Sequence, residues 1–422
     1  MNKVEKTNLV LFSTGQFISL FGSAIYSFAM SLYVLKLTGS GLSYAINLVL
    51  TVMPTVLIGP LAGVLADRFN KKLLVVSMNF ANAVLFALLF VAGNNYGLIL
   101  PVIYIATFIT NVISVVFGIS IESAKPVLVS ANNLIKINLA SQLINSLSSI
   151  LGPVIGGLVF AFTDIKYFIL INSLSLLCSG ISELFMNFDF NTGHENDEPA
   201  EAKDMTIGNI VSDIREGFLY TFKQKELKDS IGVFLLLNIM LGFSVMVGLP
   251  YAINNVLKLD SASYGIVQSF LPVGAILGAI AVGRLYREAL YNRVINLSVL
   301  SFSAVNIAMG IPLLSFADFS KELCVAYYSV LMIATGVIIS FVDILAMQKL
   351  QTVADEEYRG RVISTTVCAC KAALPISLII AGFIIEVLPV LWVFLGTGCL
   401  SMLYAVRRIY ISAREFSAIE TP

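Results

Sequence analysis

Two ionisable side chains stand by themselves inside long apolar stretches: Asp343 in "ISFVDILAMQKL" and Lys371 in "VISTTVCACKAALPISLII". At about 1.5 Å per helical residue, Lys371 lies ~13 Å into its stretch and Asp343 ~8 Å from the end of its own. A charge placed in hydrocarbon costs on the order of 3 kcal/mol, so such residues are kept where they have a partner or a role. A flexible lysine stem can reach towards a carboxylate. Two readings are open. The residues form a cavity-facing pair that responds to protonation or substrate, or the aspartate makes a fixed salt bridge and the lysine snorkels.

The other polar groups in apolar surroundings are amides. Gln16, Asn47, Asn82 and Asn111 precede residue 188, and Asn238, Gln268 and Asn306 follow residue 228. An amide in a membrane helix serves as an interhelical hydrogen bond or as a ligand contact. Tyr26, Phe28, Tyr33, Phe243 and Tyr251 would suit a bulky apolar guest. The single histidine, His194, lies in the polar central segment, which leaves no histidine metal cluster and no His-based catalysis within the apolar part. The five cysteines (Cys178, Cys324, Cys368, Cys370, Cys399) read as small buried apolar side chains, and Cys368 and Cys370 point to different sides of one helix. There is no G-x-x-x-x-G-K-[ST] loop to bind a nucleotide phosphate, and no nucleophile–base arrangement. An enzyme is not expected, nor are a cofactor or a bound metal.

Composition says what must hold these residues in place. The chain has 422 residues, 58% hydrophobic and only 12% charged, where a soluble domain has about 25% charge. That little polar surface cannot enclose so large an apolar interior in water, and the solvent is lipid. Twelve apolar runs of helix length are expected to span it, over 9–36, 42–66, 73–93, 97–121, 138–163, 166–187, 229–256, 262–284, 292–314, 322–348, 362–387 and 389–410. Their length excludes a transmembrane barrel, and the first is read as a span and not as a removable signal. Of the 26 lysines and arginines, only Lys36, Lys166, Lys258 and Lys321 fall in outer loops and Lys371 within a span; the other 21 line the inner side. The asymmetry predicts a multi-pass membrane protein with both termini in the cytoplasm. The formal net charge of zero therefore points to no nucleic-acid partner.

The polar segment 188–228 divides the spans six and six. Its first part is acidic, and its second places Ile207, Ile210, Val211, Ile214, Phe218 and Phe222 at helical spacing, an amphipathic helix expected on the cytoplasmic membrane face. The halves match weakly. An offset of 220 lays Tyr44 on Tyr264 and Gly63 on Gly283, and an offset of 224 lays "VSANNLIK" on "VADEEYRG". The expected fold is an all-α membrane protein of 12 transmembrane helices in two pseudo-twofold six-helix bundles. Residues 1–187 form the first bundle, 188–228 the linker and 229–422 the second bundle. Duplicated bundles of this kind place a substrate site at the midplane between rocking halves.

The turn "GVLADRFNKK" (63–72) resembles the signature between helices 2 and 3 of the major facilitator superfamily. The resemblance implies that Gly63 sits where helices approach closely. It also implies that Asp67 accepts hydrogen bonds from a facing helix amino terminus near Val362–Thr365, holding the inner side closed, with Arg68, Lys71 and Lys72 at the headgroups. "SSILGPVIGGLVF" resembles the helix-5 motif of the superfamily's exporters through Gly152, Pro153, Gly156 and Gly157. "GQFISLFGSAIYSFAMSLYVLKLTGSGLSYAI", "SDIREGFLYTFKQKELKDSIGVFLLLN" and "QTVADEEYRGRVIS" are similar to the bacterial macrolide-efflux branch. The chain departs from that pattern at Ser23, where many relatives are acidic, and in helix 4, where Glu122 and Lys125 stand without an arginine. In this family spans 1, 4, 7 and 10 line the cavity, which implies Gln16, Asn111, Asn238 and Asp343 as cavity residues, with Tyr26 and Phe243 on the same spans; Asp343 and Lys371 are the candidate coupling residues by their place in apolar stretches.

The function expected is a secondary transporter exporting amphipathic or hydrophobic small molecules by alternating access, driven by protons or Na+, as a monomer in the bilayer. A lysolipid or lipid flippase and a siderophore exporter on the same scaffold are the competing readings.

Overall fold

The computed structural model describes residues 1–188, 190, 224–285, 291–314, 319–353 and 359–420. The expected amphipathic helix and His194 fall outside the described residues. Twelve long helices follow one another: α1 (Lys3–Thr38), α2 (Gly41–Arg68), α3 (Lys71–Tyr96), α4 (Leu100–Leu128), α5 (Leu134–Phe162), α6 (Ile165–Leu184), α7 (Lys225–Leu241), α8 (Ser261–Leu285), α9 (Tyr291–Met309), α10 (Lys321–Val353), α11 (Arg359–Val387) and α12 (Val390–Glu420). Among the described residues no strand occurs and eleven helical stretches are long and apolar enough to cross a membrane. The twelfth long helix, α11, carries Arg359, Arg361, Lys371 and Glu386.

Local chemistry sets the helix ends. Gly39 closes α1 at a φ of +65, its N–H donating to the Leu35 carbonyl at 2.8 Å, a left-handed cap that glycine adopts without steric cost. Asp164 and Asn70 open α6 and α3 by accepting from the backbone N–H of Lys166 and Leu73. Several helices run past their expected bounds. α1 begins six residues before residue 9, and α4 continues to Leu128 with Pro126 inside it. Proline is tolerated there because neighbouring helices re-satisfy the freed backbone groups.

The chain forms two compact units, Met1–Gly39 with Ile46–Lys203, and Ser40–Ala45 with Asp204–Pro422. In the first unit two apolar cores lie on either side of a polar layer. One core holds Tyr26, Met30, Phe86, Ile103, Ile169 and Leu176, and the other holds Phe12, Val75, Phe117, Ile121, Leu128 and Ile137. On each helix polar or glycine residues stand between these sets: Gly15, Ser19 and Gly22 on α1, Asn79 and Asn82 on α3, Thr107 and Asn111 on α4, Ser179 and Glu183 on α6.

The second unit packs α7, α9, α10 and α12 around Val233, Leu237, Ile295, Phe302, Ile338 and Val342. Its α8 and α10 meet at backbone distance. A Cβ at Gly274 would lie 2.1 Å from the Ile333 carbonyl, and one at Gly336 would lie 2.1 Å from that of Leu271. Small residues are how membrane helices approach this closely. The unit also takes in the start of α2, where Glu386 accepts from the Ser40 hydroxyl and, at 3.2 Å, from the Leu42 N–H. A carboxylate suits a helix N-terminus. Apolar rows such as Leu139, Leu143 and Leu147 on α5 stay exposed, as hydrocarbon surroundings allow.

Candidate functional site

The polar layer of the first unit is where side chains that do chemistry converge. Gln16 on α1 is buried and donates from Nε2 to Ser141 Oγ of α5 at 3.0 Å. Ser141 Oγ donates to Glu122 Oε1 of α4 at 3.3 Å, and the other Glu122 oxygen accepts from Lys125 Nζ at 2.6 Å. The Glu122 side chain is 54% exposed whereas that of Lys125 is 6% exposed, with its ammonium 5.9 Å from the Phe12 ring centre. One strand of hydrogen bonds therefore runs from an accessible carboxylate into the bundle. Its inner end carries spare capacity, because Gln16 Oε1 has no protein partner. A buried polar atom without a partner costs about 1–3 kcal/mol, and a polar guest or water would recover it.

Asn111 lies half-buried on α4 and donates to the Thr107 carbonyl one turn back at 2.7 Å. Thr107 donates to Asn47 Oδ1 at 3.0 Å, and Asn47 donates to Ser31 at 3.1 Å. Asn47 thus ties α2 to α1 and α4. Asn82 similarly reaches Ser114 at 3.4 Å, leaving its Oδ1 unpartnered. Tyr26 is placed differently from expectation. It is 2% exposed, packed edge-on against Phe86 with ring centres 4.5 Å apart, and belongs to the core instead of an open wall.

In the second unit Asn238 is half-buried and donates to its own helix, to the Phe234 carbonyl at 2.9 Å. Phe243 is half-buried on a π-helical turn, Gly242–Gly248, which continues α7 and is followed by a second, Ala252–Val256. π-turns occur often at functional sites because they re-aim side chains. Sequence reasoning missed them, although two glycines, Pro250 and the Asn254–Asn255 pair marked the stretch. Asn306 is structural, accepting from Thr397 at 3.1 Å.

Asp343 and Lys371 are both exposed, and no ion pair joins them. The fixed salt bridge between them is not formed, which leaves the two side chains unpaired with each other. The turn 63–72 also differs from expectation in its geometry. α2 runs through to Arg68, so Asp67 lies in its last helical turn, and the reversal is Phe69–Asn70 with Asn70 as the cap of α3. The side chain of Asp67 is not among those described, whereas Arg68 is exposed. Among the described residues, a Cβ at Gly63 would meet no heavy atom within 4 Å. The helix-5 glycines do provide close helix approach. A Cβ at Gly152 would lie 2.7 Å from Ala24 Cβ, and one at Gly156 would lie 3.0 Å from Phe28 Cδ1 and 3.1 Å from the Ile25 carbonyl, all on α1. Gly157 is buried beside them and Pro153 lies inside α5.

Sequence reasoning also missed Glu183, Asn79 and Ser179, which meet where the last turns of α6 pack on α3. Ser179 and Glu183 lie a turn apart on α6 and Asn79 lies on α3, and no short motif links them. Cys178, Cys324 and Cys399 are free thiols, while the side chains of Cys368 and Cys370 are outside the described set. Among the described residues no group of three His, Cys, Asp or Glu is placed to hold a metal.

Comparison with known proteins places this architecture. The chain is 22% identical over 415 residues to macrolide efflux protein A of Streptococcus pyogenes, covering 93% of each. It is 22% identical over 363 residues to macrolide efflux protein A of Enterococcus faecalis, covering 81% of this chain and 100% of the relative. Among solved structures it is similar to a bacterial homologue of the iron transporter ferroportin in an inward-facing state, with a TM-score of 0.68 at 17% identity over 96% of this chain and 98% of the other. It is also similar to the nucleoside transporter NupG, with a TM-score of 0.73 at 13% identity over 97% and 99%. At such identities the structural likenesses show a shared fold. A sequence model of the Major Facilitator Superfamily matches residues 12–374, and the chain belongs to that superfamily of membrane transporters.

Proposed function

We propose that this transporter exports amphipathic or hydrophobic small molecules, of the kind macrolides exemplify, by alternating access driven by an ion gradient. The observation that carries the reading is the seating of Gly152 and Gly156 of α5 against Ala24, Ile25 and Phe28 of α1. That packing belongs to the motif in which this chain resembles exporters, and the relatives named as macrolide efflux proteins extend over nearly the whole chain. Gln16, Asn111, Asn238 and Phe243 are the proposed substrate contacts. Gln16 offers an unfilled acceptor, and Phe243 offers a half-buried ring on an irregular helical turn. Asp343 and Lys371 are the proposed coupling residues, acting separately because they are not paired. Asp67, with Arg68, Lys71 and Lys72, is the proposed inner gate, and both termini are proposed to face the cytoplasm.

The test is accumulation of macrolides and of cationic amphipathic dyes in a host lacking its own efflux pumps. Expression of the chain should lower accumulation several-fold, and collapse of the proton gradient should restore it. Unchanged accumulation across both classes, with the protein present in the membrane, would refute the reading.

A further inference from the structure

We propose that Glu183 is a proton-binding centre of the first unit, held between α1, α3 and α6, where proton release and displacement of α1 are one event. The geometry carries this. Glu183 is 1% exposed, and among the described residues it makes no ion pair. Both of its oxygens accept from the single amide group of Asn79, at 2.8 and 2.9 Å. Ser179 Oγ, one turn back on α6, lies 3.3 Å from Glu183 Oε1 and 2.9 Å from the Gly15 carbonyl of α1. Ser19 of α1 completes the cluster, 2.8 Å from Ser179 Oγ and 3.3 Å from Asn79 Oδ1.

Counting hydrogens decides between the two states of the acid. Ser179 has one hydroxyl hydrogen but faces two oxygens that only accept when the acid is ionised, the Gly15 carbonyl and Glu183 Oε1. Given to Gly15, at the shorter distance, it leaves the Glu183 contact without a hydrogen. Asn79 would then be the sole donor to a dry carboxylate, and a buried charge without a counter-ion is among the most expensive groups in a protein. A proton on Glu183 Oε1 removes the uncompensated charge and puts a hydrogen in the Ser179 contact, with Ser19 and the Asn79 amide (3.2 Å) sharing the rest of the acceptor capacity of Ser179 Oγ. Uptake forms one O–H bond at the carboxylate, and release returns the proton to water.

Among the described residues no other charge substitutes for that proton. Lys3, Glu5, Lys6 and Lys36 on α1, Lys71 and Lys72 on α3 and Lys166 on α6 sit in end turns. Tyr26, Tyr33, Tyr96 and Tyr167 lie towards the far ends of their helices, Cys178 is exposed, and Glu122 and Lys125 of the neighbouring α4 pair with each other. α1 closes the site with bare backbone. A Cβ at Gly15 would lie 3.0 Å from Ser182 Oγ and 3.5 Å from Glu183 Oε1, so water reaches an ionised Glu183 only if α1 moves away.

Infrared spectroscopy of the full-length protein in a carbonyl-free detergent, at neutral pH, tests the centre without reference to any substrate. Wild type should show the carbonyl stretch of an un-ionised carboxylic acid that is lost in Glu183→Gln and shifted in Ser179→Ala, equally with and without Na+. Hydrogen exchange across residues 12–22 should rise with pH in wild type and stay flat in Glu183→Gln. If Glu183→Gln is not recovered folded, Ser179→Ala decides, since it keeps the acid, and an unshifted band overturns the proposal. Coincident wild-type and Glu183→Gln spectra also overturn it, as does a band that appears only when Na+ is withdrawn, which would mark an alkali-cation site instead.

Discussion

The two units solve helix packing with different atoms. In the first, the tight glycines mostly face side chains: Gly22 faces the amide of Asn172, with a Cβ 2.4 Å from Oδ1, and Gly152 faces Ala24 Cβ. In the second, the α8–α10 glycines face backbone, at the Ile333 and Leu271 carbonyls, and the Ser340 hydroxyl donates to the Ala275 carbonyl at 2.6 Å. Their polar interiors differ in step. The first unit buries a carboxylate and leaves Gln16 Oε1, Tyr26 Oη, Thr110 Oγ1 and both polar atoms of Asn172 without protein partners. The second keeps Asp343 and Lys371 exposed. At the α8–α10 seam the buried hydroxyl of Ser340 is spent on a backbone carbonyl.

The largest effect should come from Gly336→Ala. Its single new carbon would sit 2.1 Å from one backbone atom and 2.6 Å from the Ala275 nitrogen, so α8 must move bodily, at or beyond the upper end of the about 1–3 kcal/mol that overpacking costs. Size-exclusion of a fluorescent fusion should show little folded protein, and trimming any one neighbouring side chain should not restore it. Gly22→Ala makes the matching test in the first unit. It should cost about 1–2 kcal/mol and be rescued by Asn172→Ala, because the obstacle is a side chain whose own hydrogen bonds are unmade. A melting-temperature comparison in which the double variant is no better than the single would break the contrast.

Asp67→Asn should follow in size. As a proposed gate residue it should shift the conformational balance by about 1 kcal/mol and reduce efflux while leaving membrane levels unchanged. Wild-type flux in this variant removes Asp67 from the gate. Asp343→Asn and Lys371→Met come next. Because neither strands a buried partner, each should express normally, with stability within about 0.5 kcal/mol of wild type, and each should change the pH dependence of efflux. Poor expression of either single variant, restored in the double, would show a pair that the structure does not contain.

The smallest effect belongs to Asp260 at the start of α8. Lys321 beside it and the Ser263 N–H hold its carboxyl down to about 2, against an ordinary value of 3.8. The sign follows directly: the contribution is complete above about pH 4 and fades as pH falls towards 2. Since the ion pair is largely exposed, Asp260→Asn should cost well under 1 kcal/mol at neutral pH, a difference that should vanish in unfolding measured at the acid limit.

Composition and pattern by themselves determined that this chain lives in lipid, that its elements are long helices, and where most helices lie. Hydrophobic run length is a local property set by bilayer thickness, and capping residues such as Gly39, Asn70 and Asp164 act within their own turn. The helix-5 glycines were legible for the same reason, since small residues at fixed spacing have few uses other than close packing. The tertiary structure alone decided which polar residues meet. Gln16, Ser141 and Glu122 come from three helices, as do Glu183, Asn79 and Ser19, and nothing in any one stretch reveals the partners in the others. It also decided that Tyr26 is core and that Asp343 and Lys371 stay apart. Facing is a property of helix rotation and neighbour choice, and both are fixed only when all the helices of a unit pack together.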